Sequence, residues 1–195
     1  MLLLAIACSA PDPAPAPVET AHAVFGEDRV HAASLVVADA DWEALRTLAA
    51  TRGSIRKTWF EADLEWDGEP VGRVGIRVKG QSKRLEAVGE SIPLKVDFDR
   101  FTEGLRIHGL EGLALHSTPV DPTGIREALA YAAWREAGVP TARTGFVALT
   151  VNGRALGTYV SVESLDEHWL AATFPPGDGV LYEPVGTLGP PLTAR

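Results

Sequence analysis

Apolar and polar residues alternate with a period of two over several stretches of the chain, and each stretch reads as a half-buried strand. Val30 to Val37 is the first. Trp59 to Trp66 alternates and runs into Asp67-Gly68, a pair suited to the positive φ of a tight hairpin turn. Val71 to Lys79 returns, with Val74, Ile76 and Val78 on one face and Arg73, Arg77 and Lys79 near the other. A polar loop follows from Gly80 to Glu90, and then Pro93 to Phe98 puts Leu94, Val96 and Phe98 inward with Lys95 and Asp97 opposite. Leu113 to Leu115 is a short strand, and Phe146–Val151 and Ala155–Val162 flank Asn152-Gly153, the strongest hairpin signal in the chain. Helical spacing puts Trp42, Leu45, Leu48 and Ala49 on one face behind a cap at Asp39 or Asp41. A second helix runs from about Thr123 to Ala137, between Asp121-Pro122 and Gly138, and its Tyr131 and Trp134 are assigned to the core. Asp166 caps a short helix through Leu170, and Gly179 to Tyr182 makes a last short strand. The order implies an α+β fold: a mostly antiparallel sheet with a packed helix.

Composition narrows the class. The chain has 195 residues, 46% of them hydrophobic, enough for one buried core. Its formal net charge of −8 lacks the electrostatic footprint of a nucleic-acid binder. A single cysteine, Cys8, excludes an internal disulfide and a thiolate zinc cluster. The five histidines, His22, His31, His108, His116 and His168, have no helical metal-ligand spacing and default to surface or satisfied core positions.

The apolar, small-residue run Met1 to Ala7 leads straight into Cys8, and a Pro/Ala-rich tether follows from Ser9. This arrangement resembles the lipobox of a bacterial lipoprotein. The resemblance implies export, lipidation at Cys8 and a membrane anchor on the cell envelope. The expected organisation is a signal-like segment at 1–8, a linker at 9–23, one domain at 24–185 and a flexible tail at 186–195.

The element order carries a chemical suggestion. A hairpin bears a polar glycine loop, a strand presents Lys95, a helix presents Glu127, and a hairpin leads to Glu163. A kinase amino-terminal lobe has this order. Its strand lysine neutralises phosphate charge, and its helix glutamate holds that lysine in place.

The run Val74-Gly75-Ile76-Arg77-Val78-Lys79-Gly80-Gln81-Ser82 resembles a segment of the spore-coat protein H (CotH) kinase-like family. Asp121 with Ile125-Arg126-Glu127, then Ala137 to Pro140, Val151-Asn152-Gly153, Gly157-Thr158-Tyr159 and Val162-Glu163 follow in family order, over roughly residues 24 to 183. The resemblance implies the amino-terminal lobe of an atypical protein kinase, with the carboxy-terminal lobe largely missing, and ATP-dependent protein phosphorylation with a divalent metal such as Mg. It places Lys79, Gly80 and Ser82 near phosphate, although Lys83 stands where the family has a second small hydroxyl residue. Lys95 fits the strand lysine with Lys79 as competitor, Glu127 fits the helix glutamate with Arg126 as competitor, and Glu163 precedes the linker.

Phosphoryl transfer also needs carboxylates for the metal and for the attacking hydroxyl. Beyond Glu163 stand Asp166, Glu167, Asp178 and Glu183, none in the family's Asp-containing motif. The expectation is a truncated kinase-like domain, inactive alone, lacking the metal site and general base and acting on a protein substrate only if the missing lobe is supplied. The rival is a non-catalytic envelope lipoprotein that uses the same fold to bind a protein or envelope partner. A third reading, an unrelated extracellular adhesion module, would require the element order to match by chance.

Overall fold

The computed structural model describes residues 23–26, 28–51, 58–80, 91–118, 121, 123–174, 179–184 and 192–194. Cys8 and Ser82 lie outside them. The elements run β1 (Val30–Val37), α1 (Asp39–Ala50), β2 (Phe60–Trp66), β3 (Glu69–Val78), β4 (Leu94–Asp97), β5 (Gly112–His116), α2 (Arg126–Glu136), β6 (Thr144–Val151), β7 (Arg154–Glu163), α3 (Glu167–Thr173), β8 (Tyr182–Pro184) and β9 (Leu192–Ala194). None of the described helices is long and apolar enough to cross a membrane.

The architecture corrects the expected one. Among the described residues, seven strands close into a barrel in the order β1-β2-β3-β4-β5-β7-β6, with three short helices and a separate β8–β9 ribbon. An open kinase-lobe sheet with a packed helix is overturned. Neighbouring strands pair antiparallel as the hairpin signals imply, but β1 also pairs parallel with β6, from Val30 opposite Phe146 to Leu35 opposite Val151. That pairing joins what would otherwise be two free sheet edges and removes both.

Side-chain alternation then sorts each strand into a barrel interior and an exterior. Leu35, Leu64, Ile76, Leu94, Leu113, Leu149 and Tyr159 fill the interior. Val24 and Phe25 cross the chain at Gly145, where an added Cβ would lie 3.1 Å from the Val24 carbonyl oxygen and from Ser161 Oγ. A side chain there would push this segment off the barrel. On the exterior, α2 covers β5, β7 and β6. Ala128 is buried, and Tyr131 packs on the cluster of Ala114, Ala142, Val160 and Val162. Trp134, expected in the core, is 58% exposed. One apolar stripe of α2 suffices to cover the sheet, and Trp134 lies off it.

Candidate functional site

The exterior register gathers several of the residues singled out by sequence. Arg77 stands opposite Lys95, Lys95 opposite Ala114, and Ala114 opposite Val162. Cross-strand partners share a face. Lys95 therefore projects on the outer face, beside the patch covered by α2. Lys79 follows the end of β3, its N–H donating to the Pro93 carbonyl at 2.8 Å. The Leu94–Leu115 pairing, continued by one residue, carries that row to His116. Gly80 has φ +90, a conformation costly for any side chain-bearing residue, at the point where the chain leaves the strand.

Helix α2 brings Glu127 to this face. Asp121 organises the approach: it accepts from Thr123 Oγ1 at 2.6 Å and from the Arg126 N–H at 2.9 Å. The Thr123 hydroxyl first, and then the backbone N–H groups of Arg126 and Thr123, hold the Asp121 carboxyl below its usual range against the opposing effect of burial. Asp121 thus does the work of a cap, although the residue directly before the helix is Ile125. Glu127, in the first turn, meets His116 of β5, with Oε1 2.6 Å from Nδ1. An ionised carboxylate only accepts, so Nδ1 carries the hydrogen. Burial, and after it the negative charge of Glu127, raises Tyr131 above the usual phenol value. His116 Nε2 and Ser117 Oγ are buried and have no hydrogen-bond partner among the described residues.

Glu163 sits elsewhere. On β7 the residues Tyr159, Ser161 and Glu163 share the interior phase, and Glu163 lies at one end of the barrel with its side chain 4% exposed. Its Oε2 accepts from Arg143 N–H and from Arg143 Nε, both at 3.0 Å, and Oε1 accepts from Arg143 Nη2. The guanidinium in turn lies 5.5 Å from the centre of the Phe25 ring. This is a buried bidentate ion pair, closed over by the amino-terminal segment. The structure thus places Lys79, Gly80, Lys95 and Glu127 on one exterior face and Glu163 away from them.

Two further features were missed by sequence reasoning. His116 and His31, expected at surface or satisfied core positions, are both paired with carboxylates that the sequence did not identify, and these partners lie 11 and 36 residues away, beyond any local spacing rule. A basic and aromatic cluster borders the lysines: the guanidinium carbons of Arg77 and Arg100 lie 5.0 and 5.5 Å from the Trp59 ring centre. It depends on Gly75, where an added Cβ would fall 2.6 Å from Arg100 Cγ.

The donor set suits a phosphate chain better than a metal. Two lysines and a glycine backbone at a strand exit match phosphate oxygens. No group of three or more His, Cys, Asp or Glu side chains able to hold a metal ion occurs among the described residues.

The family model described as CotH kinase protein matches residues 76–187, which is 112 of 195 residues (187 − 76 + 1 = 112). No curated protein matches the chain. The chain belongs to the CotH kinase protein family.

Proposed function

We propose that this CotH-family chain binds the phosphate groups of a nucleotide, ATP in the first instance, on the exterior face formed by the β3 exit, β4 and the first turn of α2. The observation that carries the reading is the grouping of Lys79, Gly80, Lys95 and Glu127 on that one face. The two lysines offset phosphate charge as point cations, and the Gly80 backbone allows close approach. Glu127 orders the cationic side of the site through its contact with His116.

Phosphoryl transfer to a protein requires carboxylates that the described site does not gather. Asp121 is committed to the start of α2, Asp166 accepts from the Trp169 N–H at 2.9 Å, and Glu163 is held by Arg143. In this reading the chain alone binds nucleotide without turning it over. Export and anchoring through Cys8 complete the proposal, with an envelope protein as partner or substrate.

Isothermal titration with ATP and Mg at low ionic strength tests it. Binding in the high micromolar range is expected, abolished by Lys95→Ala and accompanied by no phosphorylation of a generic protein substrate. Lys79→Ala decides between the two lysines. Absence of any nucleotide binding by the unsubstituted chain overturns the reading and favours the rival, a non-catalytic envelope-binding protein. The commitment of Asp121, Glu127 and Glu163 to structural partners supports that second reading.

A further inference from the structure

Helix α2 carries large apolar side chains on the side away from the sheet. Inward, Ala128 is buried, Tyr131 is half-buried against the barrel, and Arg135 donates from Nη1 to the Ala142 carbonyl at 3.0 Å. Outward, Leu129 is 59% exposed and Trp134 58%, with Ile125, Ala130 and Ala133 exposed beside them. Helical spacing sorts these into two adjacent rows, Ile125-Leu129-Ala133 and Arg126-Ala130-Trp134. Packing on the barrel accounts for Ala128 and Tyr131 and leaves both rows in water. Apolar side chains exposed side by side, with charged residues at the margins, mark a protein-binding surface.

The charges at the two ends of this face indicate the partner. Arg126 opens the helix and Glu136 closes it, equally spaced before and after Tyr131. The Arg126 side chain is 70% exposed, with its Nε 3.5 Å from Asp121 Oδ1, and Glu136 is exposed as well. A second copy of the helix, laid antiparallel with the two-fold axis level with Tyr131, brings each Arg126 to the partner's Glu136. The same operation sets each Leu129 against the partner's Ala133. It lays each Trp134 beside the partner's Ala130, a large side chain over a small one. The face is therefore complementary to itself in both charge and size. Its arginine and glutamate balance, although the whole chain carries a formal charge of −8.

We propose that the outer face of α2 is the contact between two copies of this chain, an isologous dimer of antiparallel helices crossing at about 20°. The helix has 11 residues, about 16 Å of contact length. Its buried area therefore falls below that of permanent dimers, and the association is weak and reversible. Glu127 turns from this face to His116 of β5, so the dimer leaves the proposed phosphate-binding face clear. Dimerisation goes beyond nucleotide binding and does not rest on it.

Sedimentation equilibrium of the full chain tests it, with reductant present so that Cys8 cannot form an intermolecular disulfide. A monomer–dimer equilibrium with a dissociation constant on the order of tens of micromolar is expected. Leu129→Glu should abolish the dimer and leave the thermal midpoint of the dilute monomer in place, because that side chain is exposed. Arg126→Glu and Glu136→Arg each put like charges at both ends of the antiparallel pair, and each should weaken it about tenfold. The double variant, and an equal mixture of the two single variants, restore opposite charges and should regain the unsubstituted affinity. In a parallel pair the single reversals would leave like charge facing like, as before, and change nothing. A chain that stays monomeric up to about 1 mM overturns the inference. So does a dimer indifferent to Leu129→Glu or to the single charge reversals, or one that the double variant fails to restore.

Discussion

Two turn residues, Asp67 and Asn152, each do more than turn the chain. Both adopt positive φ, 52° and 48°, ahead of a glycine, as a tight hairpin demands. Each then reaches to β1. Asn152 Oδ1 accepts from the Val37 N–H at 2.8 Å while its Nδ2 donates to the Val37 carbonyl at 2.9 Å, fixing the end of the strand. Asp67 fixes the start: Oδ1 accepts from the Ala32 N–H at 2.9 Å, and Oδ2 lies 2.7 Å from His31 Nδ1 and 2.8 Å from Arg29 Nη2. Burial raises the Asp67 carboxyl, but the Ala32 N–H, His31 and Arg29 together outweigh it, and the net shift is downward. A carboxyl depressed in the folded state contributes stability above its unfolded value, about 3.9, and that contribution is lost as pH falls through the folded value. Asp67→Asn is therefore expected to lower the urea midpoint at pH 7 and to flatten the loss of stability below about pH 4. A variant with an unchanged acid limb would mean that the carboxylate plays no part in holding β1. The turns themselves were legible from Asp-Gly and Asn-Gly. Their grip on β1 was not, because the partners are 35 and 115 residues distant and nothing local encodes them.

At the level of elements, strands β1 to β4 were readable because each has one face inside the barrel and one largely in water, so alternation survives in the sequence. Strand β2 shows it plainly, with Ala62, Leu64 and Trp66 buried between exposed Glu61, Asp63 and Glu65. Strand β7 does not: its last five residues are all buried, because the barrel interior takes Tyr159, Ser161 and Glu163 while α2 covers Val160 and Val162. With both faces covered, the phase that turns Glu163 inward cannot be read from hydrophobicity, and its assignment to a nucleotide rested on family order alone. The structure gives it a structural duty that can be separated from ligand binding. Removing one partner of a buried ion pair is destabilising by about 3–5 kcal/mol, and the 22% exposure of Arg143 points to the lower end of that range. Glu163→Ala should show such a loss in chemical denaturation. Arg143→Met combined with Glu163→Leu should recover much of it, because neither charge then remains buried alone. Lys95→Ala, on the outer face, should move the midpoint little while removing nucleotide. If Glu163→Ala instead left stability intact and weakened only ATP binding, the carboxylate would be a ligand contact after all.

For the molecule as a whole, the decisive interaction is the one with no sequence signature, the parallel pairing of β1 with β6. Hairpins declare themselves through the two residues between them, whereas β1 and β6 are separated by everything from α1 to α2. An open sheet and a closed barrel therefore predict the same strands and differ only in what the first strand touches on its far side. That difference is measurable. In an open sheet β1 is an edge, and every second backbone N–H along it faces solvent and exchanges quickly. In the barrel β1 has β2 on one side and β6 on the other, so successive amides alternate between two partners and none faces water across Ala33 to Leu35. Native-state hydrogen exchange should accordingly find both alternations of β1 protected to the same degree as β6 and β7, opening only with global unfolding. Fast exchange at every second β1 amide would mean that the barrel is open in solution. The face proposed to bind phosphate would then lie on a sheet free to flex, since the same ring of strands holds β3, β4 and β5 in register and keeps Lys95 opposite Ala114.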